Sequence, residues 1–125
     1  MTYRTINPAT AEEVVSFPEF TDAQVEQALV RAHDEFLRWR WTPLAERAEK
    51  LRKVADDLEN RAEEPAKVMA IEMGKPVTDG EGEAKKCAWC CRYYADNAEK
   101  FLQPKPHESD GSEAYVQYDP LGPIF

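Results

Sequence analysis

From Thr21 to Leu102 apolar residues return every third or fourth position, in four stretches separated by proline and glycine. No other feature constrains the fold as much, because each stretch reads as an amphipathic helix whose apolar stripe must be covered by another surface. In the first, Val25, Ala28, Leu29, Ala32, Phe36 and Trp39 share a face. Its start is marked by Thr21 and Gln24 at capping-box spacing, with Phe20 and Val25 placed as a hydrophobic staple. Thr42-Pro43 predicts the second start, a hydroxyl cap followed by proline at the first helical position. Leu44, Ala48, Leu51, Val54, Ala55 and Leu58 then form a narrow stripe ending near Asn60. Pro65 opens a third helix with Met69 and Met73 inside, and Gly74-Lys75-Pro76 stops it: glycine takes the left-handed C′ conformation and proline forbids continuation. Thr78 and Glu81 again have capping-box spacing before Ala84, Cys87, Ala88, Cys91, Ala95, Ala98 and Leu102. Gly80 and Gly82 each cost roughly 1 kcal/mol relative to alanine, so the opening of this fourth helix is expected to fray.

The β content is small. Tyr3 to Ile6 and Val14 to Phe17, joined by Asn7-Pro8-Ala9-Thr10, predict a hairpin, and Ala114 to Tyr118 predicts one strand, within residues 112–119. Gln103-Pro104-Lys105-Pro106 reads as a connecting loop. The chain is therefore expected to be mainly α: about four helices, an N-terminal hairpin and a C-terminal strand, with strands too few for an independent sheet. A length of 125 residues suits one domain or an unfinished piece of a larger one. The apolar run Leu121-Gly122-Pro123-Ile124-Phe125 favours the second, so residues 1–125 are read as a single incomplete unit.

A net charge of −8 argues against a chain built to grip nucleic-acid phosphates or anionic lipid. Apolar runs of only a few residues, and no signal-peptide core after Met1-Thr2-Tyr3-Arg4, support neither membrane spanning nor secretion; cytoplasm is the expected location. The expected partners are a second copy or a polypeptide that covers the stripes.

No active site can be assembled from residue types. Cys87-Ala88-Trp89-Cys90-Cys91 contains a C-x-x-C, but no second cysteine or histidine pair follows to complete a zinc set, and no strand precedes it as in a thioredoxin-like pair. Cys87 and Cys91 lie on the apolar stripe and are expected to be small buried hydrophobes, leaving Cys90 as the exposed thiol. Gly80-Glu81-Gly82 lacks the third glycine of a dinucleotide fingerprint, and Gly74-Lys75 lacks both the first glycine and the hydroxyl of a phosphate loop. His33 and His107 have no neighbours suggesting a ligand set, and Trp39 and Trp41 are expected to anchor the first helix on the second. Catalytic, cofactor-binding and metal residues are all expected to be none.

Taken in order, several segments resemble the beginning of an aldehyde dehydrogenase of the succinate-semialdehyde dehydrogenase-like branch. They are Ile6-Asn7-Pro8-Ala9-Thr10, Phe36 to Trp39, Pro43 with Glu46-Arg47, and Glu72-Met73-Gly74-Lys75-Pro76. Lys86 to Trp89, Cys91 to Ala95 and Asp119-Pro120-Leu121-Gly122-Pro123 follow. Pro65, Gly80 and Gly82 depart from the family pattern. The resemblance implies an enzyme in which a thiolate attacks an aldehyde, hydride leaves for NAD or NADP, and water hydrolyses the thioester. It also implies that the nucleophile, base, oxyanion asparagine and cofactor glycines lie beyond Phe125, so none is carried over and this chain alone is expected to be non-catalytic. Residues 1–125 would then be the helical flank of the cofactor-binding domain, with 112–119 a strand of the oligomerisation region. The alternative is a stand-alone helical interaction module without enzymatic activity.

Overall fold

The computed structural model describes residues 2–124. Strands β1 (Thr2–Ile6) and β2 (Glu13–Pro18) form the expected antiparallel hairpin, with a register shift at Thr5/Ile6. Helices α1 (Asp22–Trp39), α2 (Leu44–Asn60), α3 (Glu63–Met73) and α4 (Val77–Leu102) follow, and then two short strands, β3 (Lys105–Pro106) and β4 (Tyr115–Val116). The capping box of α1 forms as its spacing requires: Gln24 N–H donates to Thr21 Oγ1 and Thr21 N–H to Gln24 Oε1. Gly74 ends α3 at φ +74°, the left-handed conformation anticipated for it. Pro65 is the third residue of α3, where the backbone N–H has no intrahelical partner, so it costs no ladder bond.

Two helix starts differ from expectation. Pro43 and Pro76 are themselves the N-caps of α2 and α4, and neither helix has a side-chain capping bond, so Thr42 does not cap and Thr78–Glu81 form no capping box. The proline carbonyls suffice: Pro43 O accepts from Arg47 N–H at 3.1 Å, and Pro76 O accepts from Gly80 N–H at 3.0 Å. The C-terminal strand is also shorter than Ala114–Tyr118. Only Tyr115–Val116 pair, antiparallel to the Lys105–Pro106 segment read as loop, because the prolines at 104 and 106 leave few ladder donors.

α4 packs on both α2 and α3, with Gly80 near its start set against Ala66 of α3 and Arg92 and Asp96 in its second half bridged to α2. The buried residues that hold these helices together are all alanine among the apolar ones: Ala48, Ala55, Ala62, Ala66, Ala84, Ala88 and Ala95. Gly80 belongs to the same seam and does not lie in a frayed turn. It is buried, and a Cβ there would lie 2.9 Å from both Cα and Cβ of Ala66. Its missing side chain is what lets α4 approach α3 so closely.

Candidate functional site

The three thiols do not converge on a site. Cys90 is exposed as expected, Cys91 is half-buried, and Cys87 is exposed and not buried. The buried column of α4 runs through Ala84, Ala88 and Ala95, and Cys87 lies at its edge, where no neighbouring element covers it. Among the described residues no group of three or more His, Cys, Asp or Glu could hold a metal ion. His33 leans on Phe36 with ring centroids 6.3 Å apart, while His107 contributes its backbone N–H to Ala114 O in the β3–β4 connection. Neither glycine pair forms an anion cradle. Gly80 is packed on Ala66, and Gly74 terminates α3 while Lys75 is ion-paired to Glu83.

The structure does bring distant sequence segments together. A Cβ on Gly74 would meet Pro8 Cγ at 3.1 Å, so the hairpin turn sits on the end of α3, and Thr5 Oγ1 donates to Glu72 Oε1 at 3.3 Å. The Gly122 position likewise faces the Phe36 ring at 3.6 Å, and Trp39, Gly122 and Pro123 border one recess. Trp41 corrects the packing expectation: it is 78% exposed and carries the Arg40 guanidinium 5.1 Å from its ring centroid. Trp39 lies under Lys50 of the second helix, whose Nζ is 5.4 Å from the ring centroid. α1 buries no residue fully, and Trp41 lies beyond its end.

The most site-like feature is an apolar groove of about 380 Å³ between the start of α2 and the end of α4, lined by Leu44, Ala48, Leu51, Tyr94, Phe101 and Leu102. Beside it Tyr93, Tyr94 and Phe101 form a mutually packed aromatic cluster, with centroids 5.5 to 6.4 Å apart, extended by Trp89 stacked on Tyr93. Arg47 also lines the groove, and its Nε is buried with no hydrogen-bond partner.

Two other arginines pair across the α2–α4 interface. Arg92 bridges from α4 to Asp56 and Glu59 of α2, each at 2.7 Å, and Arg52 bridges back from α2 to Asp96 at 2.9 Å. The side-chain hydrogen bonds to Asp56 and Glu59 raise the Arg92 pKa, and that to Asp96 raises the Arg52 pKa. The sequence pattern missed both bridges, since Asp56 reads as an ordinary solvated helix position and local spacing does not pair α2 with α4.

The described fold is thus four helices with short strands and large exposed apolar faces. The aldehyde dehydrogenase family model matches residues 1–125, and the chain belongs to that family. It is 41% identical over 125 residues to a protein of Synechocystis sp. named probable succinate-semialdehyde dehydrogenase [NADP(+)], which it covers over only 28% of its length. Among solved structures, succinic semialdehyde dehydrogenase from Streptococcus pyogenes in complex with NADP+ is 38% identical with a TM-score of 0.85, over 92% of this chain and 26% of that one. The structure of Gox0499 superposes with a TM-score of 0.92 at 32% identity, over 97% of this chain and 27% of that one. The chain spans about a quarter of the length of the relatives it matches, their N-terminal part, and lacks their catalytic region.

Proposed function

We propose that this chain supplies the N-terminal helical scaffold of an NAD(P)-dependent aldehyde dehydrogenase that oxidises a semialdehyde such as succinate semialdehyde to the acid, and that alone it is non-catalytic. One observation carries the reading. The chain exposes 10196 Å², about half as much again as the roughly 6,800 Å² of a compact monomer of its mass. The excess is apolar in character: Leu29, Leu37, Ile71, Tyr94 and Leu102 are exposed while only small residues are buried. Such faces suit a helical layer laid against a covering polypeptide. Residues 112–119 are assigned to a subunit-contact strand, extending the short pairing at Tyr115–Val116. Binding of NAD or NADP and the thiolate chemistry are assigned to the covering polypeptide. No helix among the described residues is long and apolar enough to cross a membrane, and the cytoplasm is the proposed location.

The test is complementation. The Synechocystis relative, shortened by the segment this chain matches, is co-expressed with the chain, and NADP reduction is followed with succinate semialdehyde. Activity is expected from the pair and not from the chain. Turnover by the chain alone, or an inactive complex, refutes the scaffold reading; the inactive complex would favour an interaction module.

A further inference from the structure

Resting on that reading, we infer that Arg47 is the polar anchor of the α2–α4 groove, where it pairs with a carboxylate on the otherwise apolar segment of the covering polypeptide. The guanidinium Nε–H is out of water and has no acceptor among the described residues, although the groove around it is lined by Leu44, Leu51, Tyr94 and Phe101. A buried donor left unpaired forfeits its hydration without recompense, so the position makes physical sense only when an oxygen enters the groove. The charge argues that this oxygen is anionic. Arg47 is the fourth residue of α2, near the positive end of the helix dipole, where a cation is disfavoured. The nearby carboxylates are committed elsewhere: Glu46 to Lys50 at 3.8 Å, Glu49 to Arg52 at 3.6 Å, and Asp96 to Arg52 at 2.9 Å. Arg38, Arg52, Arg61 and Arg92 each have a carboxylate partner in the chain; Arg31, Arg40 and Arg47 have none among the described residues, and of these three Arg47 is the one whose Nε is buried. A segment that fills the groove with apolar side chains and offers one carboxylate to Arg47 satisfies both features at once.

The test uses the full 125-residue chain and the shortened Synechocystis relative, with affinity measured by titration. Arg47→Met keeps an unbranched stem in the groove and removes the guanidinium, while Arg47→Lys keeps the charge. The methionine chain is expected to be at least as stable to urea when free, yet to bind about 10- to 100-fold more weakly, as the loss of a buried charged hydrogen bond requires. The lysine chain is expected to fall between the two. Unchanged affinity of the methionine chain overturns the inference. A free methionine chain that is clearly less stable also overturns it, because Arg47 then already has its partner within the chain. A lysine chain that binds no better than the methionine one overturns the carboxylate. A wild-type homodimer that Arg47→Met dissolves assigns the groove to a second copy and overturns the occupant. Absence of any binding by the wild-type chain refutes the scaffold reading itself, and the inference falls with it.

Discussion

Gly80 and Gly82 lie two residues apart in α4, and their alanine variants are expected to move stability in opposite directions. Helix propensity alone favours both changes by roughly 1 kcal/mol. At Gly82 nothing lies within 4 Å of the new Cβ, so Gly82→Ala should realise that gain in full. At Gly80 the Cβ would fall 2.9 Å from Ala66 Cα and Cβ and 3.3 Å from Met69 Cε. The methionine methyl can rotate away, but the Ala66 backbone cannot, so α3 and α4 must separate by several tenths of an ångström along the alanine seam. Overpacking of this kind costs about 1–3 kcal/mol. Gly80→Ala should therefore be neutral to about 2 kcal/mol destabilising once the propensity gain of roughly 1 kcal/mol is subtracted. Urea unfolding followed by far-ultraviolet circular dichroism separates the cases, since a slope of about 1.5 kcal/mol per molar turns 1 kcal/mol into about 0.7 M of midpoint. Ala66→Gly should cost less in the Gly80→Ala background than in the wild-type chain, because there it also relieves the clash with the Ala66 methyl group. If Gly80→Ala raises the midpoint as much as Gly82→Ala, the close approach is not what holds α3 on α4.

Other expectations follow from single sites. Gly74→Ala should cost about 1–2 kcal/mol through the left-handed backbone, and Gly74→Asn, which tolerates that backbone, should recover only part of it because its Cβ still meets Pro8; full recovery in thermal melts would refute the packing of Pro8 on this turn. Native-state titration with an aromatic disulfide should modify Cys87 and Cys90 quickly and Cys91 slowly, and a slow Cys87 would contradict its placement at the edge of the seam. Arg61 holds the Glu64 carboxyl below its ordinary value of 4.5, chiefly through the hydrogen bond between them. A depressed carboxyl contributes stability above its unfolded-state value, and that contribution is lost as pH falls through the lower folded-state value. Glu64→Gln should flatten this acid-side slope of the urea midpoint, and an unchanged slope would place the titration elsewhere.

The parts of the fold that local chemistry decides were readable from the chain. The Thr21–Gln24 box, the end of α2 at Asn60 and the left-handed Gly74 each depend on residues within a few positions of one another. What escaped the sequence depends on neighbours far along the chain. Gly80 reads as a weak point in a helix until Ala66 is placed against it, and Cys87 reads as core until the covered column is seen to run through alanines to one side. Arg47 looks like one more surface charge, because nothing within a few residues reveals that an apolar groove forms around it. The Lys105–Pro106 strand was illegible for a related reason: a proline-rich pair has no strand propensity, and its pairing is set by Tyr115–Val116.

The alanine seam and the two arginine bridges together decide how α2 and α4 are aligned along their axes. Small methyl groups make a smooth interface with little corrugation, so packing alone would let the helices slide past one another. The bridges run antiparallel, Arg52 opposite Asp96 and Arg92 opposite Asp56. A slip of one helical turn in one direction brings Arg52 opposite Arg92, and a slip in the other brings Asp56 opposite Asp96. Either error sets like charges face to face, so four surface residues reject both neighbouring alignments of an interface too featureless to reject them itself.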